Sequence, residues 1–393
     1  MIPGGPVTVR ELRTASLLRV LRAVHDAPAP PTRALVTRQL GLGRGTATVL
    51  VAELKGRALL AEADTAARSG PGRPTAQLVP HPDGPVVLAA AITHDGWTVD
   101  AVELGGGTVF ELSGGHDRRR GVAVLDTVAA ACLTLAARLG RRVGAFALSL
   151  PATVHGDRVA QASILGWDDV DALRPFTSLG VPSALANDAT AAGIGEARRG
   201  AARGRDVVLH VHADAGVGGT LLLDGRPAPD AQGAGGEFGH MPLAGGDRRC
   251  RCGATGCWDL DVGNLALVAD PVKPVAGRVS VRRAAARVLD RARAGDPDAL
   301  DRVGRVAVAL GRGVGALVNG HDPELVTLSG VAATVAGLMP DRLGQAYTGA
   351  LMRFRRAAPP PLTRSVLDGR GQRIGTAELA FDHLLTEKVV VRR

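Results

Sequence analysis

Three of the four cysteines, Cys250, Cys252 and Cys257, lie within eight residues, and His240 precedes the first of them by ten positions. An imidazole and three thiolates form the donor set of closed, tetrahedral zinc sites. Glycines between the last two cysteines let the chain turn tightly around an ion, and thiolate ligands favour zinc over metals that prefer oxygen. Free buried thiols are the alternative. The sequence predicts one structural zinc ion per chain, bound by these four residues.

Polar residues around the cysteine segment, Cys250–Cys257, have the chemistry needed to bind a sugar. Asn187 and Asp188 follow an apolar stretch, as residues at the end of a strand do, and Glu237 and Asp259 flank the cysteines. A carboxylate or an amide can bind two neighbouring hydroxyl groups, and burying such groups without a partner costs free energy. We therefore expect Asp188, Glu237, His240 and Asp259 to converge, although they are distant in the sequence.

The N-terminal segment carries most of the chain's excess positive charge. Residues 1–74 contain eleven arginines or lysines and five acidic residues, a net charge of +6, whereas the other 319 residues carry +3. A small basic segment joined to a nearly neutral body indicates a module that binds a polyanion. A solvated basic surface in an arginine-rich chain is the alternative.

Hydrophobic spacing divides this segment into helices. The apolar residues from Leu17 to Val24 recur at helical spacing, and the prolines at positions 28, 30 and 31 end that helix. Residues 33–39 are predicted to form a second helix capped by Thr32, residues 40–43 a tight turn, and residues 46–55 a third helix. The predicted buried face of this third helix contains Val49, Leu50 and Leu54. This arrangement predicts a helix-turn-helix, and an ordinary three-helix packing domain is the alternative.

In helix-turn-helix proteins the second helix of the motif lies in the major groove, where its first residues face base edges and phosphates. The residues predicted to do so here are Arg44, Gly45, Thr46 and Thr48, and those predicted to contact phosphates farther along are Lys55 and Arg57. Predicted strands at 59–62 and 76–79 indicate a winged variant. Between them, Arg73 belongs to a Gly-Arg-Pro that resembles short hooks entering a narrow A·T minor groove. The composition of residues 69–74 fits a flexible linker better than it fits such a hook.

From residue 86 onward, predicted strands and helices alternate. The strands are expected at 86–92, 97–104, 143–150, 207–212 and 219–223, and the helices at 122–139, 189–198, 281–294, 298–319 and 375–385. Such alternation indicates an α/β fold, here in two lobes. The predicted domains are a winged helix-turn-helix with its linker at 1–80 and a body at 81–393. Its lobes cover about 81–190 with the C-terminal helix 375–393, and about 191–374.

Composition and hydropathy patterning predict a cytoplasmic protein without a membrane partner. The chain is 46% hydrophobic and 22% charged, which fits neither a disordered chain nor a fibre. The first thirty residues have scattered charges and no apolar central block, so no secretory signal is visible. The most apolar segment, 122–139, contains Asp126 and Arg138 and is predicted to be a buried helix.

The chain resembles the ROK family, which combines sugar-responsive repressors with bacterial sugar kinases, and the similarity extends over nearly its whole length. The matching segments are 32–62, 72–74, 163–167, 187–189, 235–240, the cysteine segment and 318–324. The Glu-x-Gly-His block at Glu237–His240 and the cysteine segment together are highly specific. The N-terminal helices make the chain similar to the repressors, such as those for xylose and N-acetylglucosamine.

The resemblance implies an actin-like, two-lobed ATPase-type fold with a sugar cleft between the lobes. It implies zinc on His240, Cys250, Cys252 and Cys257, and sugar contacts from Asn187, Asp188, Glu237, His240 and Asp259. In kinases of this family, the aspartate that matches Asp188 is the general base. One ring nitrogen of His240 would bind zinc while the other faces the sugar.

Departures from the kinase pattern lie where a nucleotide would bind. The family's Asp-x-Gly-Gly-Thr phosphate hairpin is replaced by residues 91–97, and Asp214 stands where the second phosphate loop usually has glycine, so that it would repel a triphosphate. On the sugar side Ala152 replaces a glycine and Asp259 replaces the usual glutamate. We therefore predict no catalytic residue, with Asp188 as the vestigial base position.

The leading hypothesis is a transcriptional regulator whose affinity for a double-stranded DNA operator changes when a sugar or sugar derivative binds. The resemblance to sugar-responsive repressors implies that it represses transcription. A homodimer or homotetramer is expected, because paired helix-turn-helix motifs read half-sites about one helical turn apart. The rival hypothesis is a ROK-type sugar kinase with an appended N-terminal domain. A third is a regulator that binds DNA and has lost sugar sensing.

Overall fold

The computed structural model of the chain describes residues 8–63, 76–116, 121–268, 281–367 and 369–391. Its N-terminal module begins with three helices, α1 at Val9–His25, α2 at Arg33–Gln39 and α3 at Arg44–Gly56. Thr32 caps α2 as predicted, because its hydroxyl accepts the backbone N–H of Leu35 at 3.2 Å. Gly41 turns the chain between α2 and α3 with a φ of +63°, a left-handed conformation that suits glycine.

The prediction that Val49 belongs to the buried face of α3 was wrong, because this side chain is 53% exposed. The buried residues of the helix are Ala47, Leu50, Val51 and Leu54. They recur at i, i+3, i+4 and i+7, which defines one face of a helix with 3.6 residues per turn. Val49 lies on the opposite face, beside the exposed Thr48.

Two strands complete the N-terminal module. β1 at Leu60–Ala63 pairs antiparallel with β2 at Gln77–Pro80. Both strands lie within one residue of their predicted positions. Arg73 and the rest of the predicted linker at 69–74 lie outside the described residues.

The body contains strands and helices in alternation. In chain order the strands are β3 Val86–Ile92, β4 Gly96–Glu103, β5 Thr108–Gly115, β6 Val143–Leu150, β7 Thr153–His155, β8 Arg158–Ala162, β9 Trp167–Asp171, β10 Ser183–Asn187, β11 Val207–Ala213, β12 Val217–Leu223, β13 Arg226–Pro227, β14 Leu325–Gly330 and β15 Leu362–Arg364. The helices are α4 Ala123–Leu139, α5 Asp188–Arg199, α6 Asn264–Val268, α7 Val281–Arg293, α8 Pro297–His321, α9 Val331–Leu338, α10 Pro340–Ala350, α11 Gly371–Leu384 and α12 Glu387–Val391.

The first five-stranded sheet of the body has the order β10-β6-β3-β4-β5. Its central strand β3 is buried along its whole length, parallel to β6 and antiparallel to β4. Because successive residues of a strand point to opposite faces, Val86 and Leu88 pack toward α4 whereas Val87 and Ala89 pack toward α11. Helices therefore cover both faces of the sheet, which accounts for the continuous apolar run of β3.

One helix among the described residues, the segment Ala123–Arg142 that includes α4, is long and apolar enough to cross a membrane by length and composition. Its inner side, with Leu125, Val128 and Cys132 buried, packs on the first sheet. The segment is therefore a core helix of the body, as predicted from its composition.

The second five-stranded sheet has the order β13-β12-β11-β14-β15, with β11 antiparallel to β12 and parallel to β14. Apolar residues of α8, α9 and α10 pack on it. A smaller antiparallel sheet of β7, β8 and β9 follows β6. The chain has the mixed α/β architecture of an actin-like body.

Two helices lie where the sheets meet. α11 packs on β3 and β6 of the first sheet, and α5 packs on β11 and β12 of the second. The two helices also pack extensively on each other. One apolar cluster, in addition, joins Leu17, Leu21 and Leu54 of the N-terminal module to Phe381 and Leu384 of α11. The domain boundary near residue 80 stays a prediction, and packing is continuous across it.

Candidate functional site

The ligand atoms of His240, Cys250, Cys252 and Cys257 all lie within 4.8 Å of one another. The Sγ atom of Cys250 is 3.8 Å from His240 Nδ1, and the Sγ atoms of Cys252 and Cys257 are 3.6 Å apart. His240 is the last residue of a short 3₁₀ turn at Phe238–His240. The four predicted metal ligands therefore converge on one small volume.

The chemistry of this donor set fits a divalent metal that prefers sulfur. Burial and the neighbouring thiols of Cys252 and Cys250 raise the pKa of Cys257 to about 12. A metal ligand must be deprotonated, so a bound cation would supply the positive charge that three thiolates need. Gly253 turns the chain between the second and third cysteines with a φ of +99°. The arrangement can hold a tetrahedral ion.

The two ring nitrogens of His240 face different groups. Nδ1 points to the thiol of Cys250, whereas Nε2 lies 3.9 Å from the carboxylate of Glu237. Glu237 is itself held by the hydroxyl of Thr153, which donates to its Oε1 at 2.6 Å. His240 thus joins the metal ligands to the polar lining of the adjacent cleft.

That cleft has a volume of about 510 Å³. It is lined by all five residues predicted to bind a sugar, which are Asn187, Asp188, Glu237, His240 and Asp259. The cleft therefore brings together residues that are up to 72 positions apart in the sequence. We had expected them to converge in this way.

Asn187 and Asp188 reach the cleft because β10 ends at the first of them and α5 begins at the second. The side-chain oxygen of Asn187 accepts the backbone N–H groups of Ala189 at 2.8 Å and Thr190 at 3.2 Å, and its amide donates to the carbonyl of Ala152 at 3.0 Å. Asn187 is therefore the N-cap of α5, and it leaves one amide N–H for a ligand.

Two carboxyl groups in the cleft have raised pKa values. Burial raises the pKa of Asp188; His212 opposes this, and the charges of Asp214 and Glu237 add to it. Burial also raises the pKa of Asp259, whose Oδ1 accepts the backbone N–H of Val217 at 2.7 Å. Such carboxyl groups favour partners that donate hydrogen bonds, as sugar hydroxyls do.

Two loops that depart from the kinase pattern meet on the other side of the cleft. His94, in the turn between β3 and β4, has Nε2 3.5 Å from the carboxylate of Asp95 and Nδ1 3.9 Å from that of Asp214. Asp214, between β11 and β12, accepts the amide of Asn264 at 2.5 Å. His94 and Asp214 therefore line this half of the cleft, with the carboxylate of Asp95 next to the imidazole.

Several cleft residues were missed by the sequence analysis. Gln372 at the start of α11 donates to Ser149 Oγ at 3.0 Å and to the carbonyl of Ile92 at 3.2 Å. His212 contacts Ser329 Oγ at 2.8 Å. The only local signal in the sequence was a pair of histidines, His210 and His212, in an otherwise apolar strand. The partners of the missed side chains come from distant elements.

The residues predicted to contact DNA differ in whether they already form ion pairs within the protein. The backbone of α3 presents Arg44, Gly45, Thr46 and Thr48 on its exposed side. Lys55 is also exposed, but its Nζ lies 2.5 Å from the carboxylate of Glu62 in β1. Arg57 pairs with Glu53 of α3 at 2.7 Å. The arrangement leaves the start of α3 open and its end engaged in ion pairs.

A sequence profile of the ROK family matches residues 120–383. The chain belongs to the ROK family. The crystal structure of a ROK family transcriptional regulator, a homologue of the E. coli MLC protein, superposes with a TM-score of 0.73 at 21% sequence identity. That superposition covers 96% of this chain and 99% of the other, and so includes the N-terminal helices of this ROK protein.

Curated relatives of this ROK protein include both regulators and enzymes. The xylose repressor of Bacillus subtilis is 23% identical over 232 residues, which cover 56% of each chain. The glucokinase of Streptomyces coelicolor is 24% identical over 278 residues, which cover 66% of this chain and 86% of the glucokinase. Family membership alone therefore leaves both activities open, and the particular residues of the cleft and of α3 must decide between them.

Proposed function

We propose that this ROK protein is a DNA-binding transcriptional repressor whose operator affinity changes when a sugar or sugar derivative binds in the cleft. The observation that carries the proposal is the pairing of an exposed helix-turn-helix with a cleft that has sugar-binding chemistry on one side. His94 and Asp214 line the same cleft where a nucleotide's phosphates would lie, and Asp95 lies beside His94. Such a cleft favours binding a neutral sugar over transferring a phosphoryl group to it.

On the DNA side, α3 would enter the major groove with Arg44, Gly45, Thr46 and Thr48 at base edges and nearby phosphates. Lys55 and Arg57 would contact phosphates by exchanging Glu62 and Glu53 for the DNA backbone, an exchange that costs little because these ion pairs are partly exposed. Arg73 is proposed as a minor-groove contact.

On the sugar side, Asp188, Glu237, Asp259 and Asn187 would bind hydroxyl groups, and His240 would donate or accept through Nε2. Zinc on His240 and the three cysteines would hold the cysteine segment in shape and fix the orientation of the His240 ring. Asp188 would act as a hydroxyl acceptor in sensing, without a catalytic role.

The alternative is a ROK-type sugar kinase with an appended N-terminal domain. The raised pKa of Asp188 supports it, since a general base needs affinity for a proton. A base accelerates phosphoryl transfer only where the nucleotide phosphates are held in line and their charge is neutralised. ATP-dependent phosphorylation of a sugar would separate the two functions.

Further expectations belong to the same proposal. The protein would work in the cytoplasm as a homodimer or homotetramer on a two-fold operator, without contacting a membrane. The winged helix-turn-helix would occupy 1–80 and the two-lobed body 81–393.

The proposal is tested in two steps. The full-length protein is first used to select DNA from a random duplex library, and one enriched sequence is expected. Thermal shift with a panel of monosaccharides and sugar phosphates then identifies an effector, because a ligand at 100 times its Kd stabilises by about 2.7 kcal/mol. That effector should change operator affinity by about tenfold or more, a typical size for allosteric coupling. Failure to enrich any sequence would contradict DNA recognition, and a sugar that binds without changing operator affinity would contradict sensing.

A further inference from the structure

The junction between the N-terminal module and the body contains a buried ionic cluster. His25, the last residue of α1, and Glu378 of α11 are each 2% exposed. His25 Nε2 lies 3.2 Å from Glu378 Oε2, and Arg199, the last residue of α5, donates to Glu378 Oε1 at 2.6 Å and to the carbonyl of His25 at 2.8 Å. We call these three residues the His25 cluster.

The hydrogen bonds of the His25 cluster define one geometry. His25 Nδ1 accepts the backbone N–H of Gly105 at 3.0 Å, and His25 Nε2 lies 2.9 Å from Arg199 Nη2 as well as 3.2 Å from Glu378 Oε2. The ring of Phe381 lies 4.2 Å from that of His25, centroid to centroid, and shields the cluster on one side. Removing one partner of a buried ion pair leaves an uncompensated charge. The end of α1 therefore cannot slide over α5 and α11 without breaking these contacts.

The two helices that carry the cluster also begin at the cleft. α5 starts at Asp188, which lines the cleft, and ends at Arg199, so it spans about 16 Å at 1.5 Å per residue. α11 starts beside Gln372, which lines the cleft and bonds to β3 and β6, and it carries Glu378 two turns later. Each helix thus has one end at the cleft and the other at α1.

Glycines lock these helices together. A Cβ on Gly195 of α5 would lie 2.5 Å from the carbonyl oxygen of Gly371, and a Cβ on Gly375 of α11 would lie 1.6 Å from that of Ala191. Backbones this close leave no room for one helix to move without the other, since packed interiors shift as units rather than deform. α5 and α11 therefore behave as one rigid pair.

We propose that the α5–α11 pair carries the state of the cleft to the DNA-binding module, and that the His25 cluster is the joint that fixes α1 to it. The inference rests on the proposed function and adds its mechanical link. A ligand that moves Asp188 or Gln372 moves the pair, and the pair moves α1, which packs on α3. If the His25 cluster only stabilised the fold, a change at the cleft end of the α5–α11 pair would not alter operator affinity.

The test perturbs the pair without touching the cleft ligands or α1. Gly195→Ala forces α5 away from Gly371, and Gly344→Ala in α10 is the matched control, because a Cβ at Gly344 meets nothing within 4 Å. Each is also combined with Glu378→Gln, which removes the carboxylate that binds both His25 and Arg199 and so weakens the joint. Operator affinity is measured without sugar by fluorescence anisotropy on the sequence that the wild-type protein selects.

Gly195→Ala is expected to change operator affinity by fivefold or more in the wild-type background. In the Glu378→Gln background the same substitution should change it by less than twofold. Gly344→Ala should leave operator affinity unchanged in both backgrounds. If Gly195→Ala does not fold, Gln372→Ala releases the cleft end of the pair instead, and His25→Gln serves as a second variant of the joint. Equal changes in both backgrounds, or no change in the wild-type background, would overturn the inference while leaving the proposed function intact. A wild-type protein that selects no sequence would overturn both.

Discussion

Acid is expected to weaken the junction between the N-terminal module and the body through Glu378. Burial alone would raise the pKa of this carboxyl, but the hydrogen bond with His25 and the charge and hydrogen bond of Arg199 lower it to about 2, from an ordinary value of 4.5. Because the pKa is lower in the folded protein, the unfolded chain binds the proton more tightly than the folded protein does. The stability from the ionised carboxylate is therefore complete above the unfolded value and is lost as the pH falls through the folded value near 2.

The size of this contribution follows from the shift in pKa. At 1.36 kcal/mol per unit, a decrease from 4.5 to about 2 corresponds to about 3 kcal/mol in the free energy of unfolding above pH 5. Integrated over pH, about half of it remains near pH 3. No discount for solvent screening applies, because Glu378 is 2% exposed.

Urea unfolding of the wild-type protein and of Glu378→Gln at pH 7, 5, 4 and 3 measures this contribution. The variant should be less stable by about 3 kcal/mol at pH 7, and the difference should shrink by about half at pH 3. Protonation of the cysteine segment affects both proteins and cancels in the difference. Two stability curves that run parallel from pH 7 to pH 3 would refute an ionised Glu378 in the His25 cluster.

Three further predictions concern the proposed sites. Operator affinity should fall steeply with salt, and Arg44→Ala or Thr48→Ala should reduce the preference for operator over random DNA by about tenfold in anisotropy titrations; salt-independent binding would contradict this. The purified protein should contain one zinc ion per chain by elemental analysis, and Cys252→Ala should lose it together with the sugar-induced thermal shift; wild-type protein purified without chelator and free of zinc would refute the assignment. Asp188→Asn should abolish the thermal shift by the effector sugar while operator affinity without sugar stays within twofold, and an undiminished thermal shift would exclude Asp188 as a sugar contact.

Local patterns were enough to predict much of the framework. The bounds of β3 and β6 matched the predicted strands, because each is a run of apolar residues buried on both faces. The metal ligands could be predicted because three closely spaced cysteines with a nearby histidine are typical of zinc sites. The start of α5 lies one residue from the predicted helix at 189–198, because Asn187 ends β10 and then caps the helix.

Other features had no local signal. β7, β8 and β9 are short, and β5 alternates exposed polar with half-buried residues, so the pairing of these strands depends on neighbouring strands rather than on a strong hydropathy signal. Val49 was assigned to the core because helical spacing alone does not choose between two faces that both contain apolar residues. His25 and Glu378 are 353 positions apart, and only the folded chain brings them within hydrogen-bonding distance.

The phosphate side of the cleft gives a last prediction, that ATP does not bind there. His94 follows β3 of the first sheet and Asp214 follows β11 of the second, so the residues that replace the two phosphate loops also lie close to each other, 3.9 Å apart. A triphosphate would have to displace this imidazole and lie beside the carboxylates of Asp214 and Asp95. The repulsion between one phosphate charge and one carboxylate is about 4 kcal/mol at 4 Å and an effective dielectric constant of 20. Asp214→Gly should therefore not restore binding, because His94 and Asp95 still occupy the turn between β3 and β4. Calorimetry with ATP and magnesium should detect no binding to the wild-type protein or to this variant. Sustained phosphorylation of the effector sugar by the wild-type protein would instead favour the kinase.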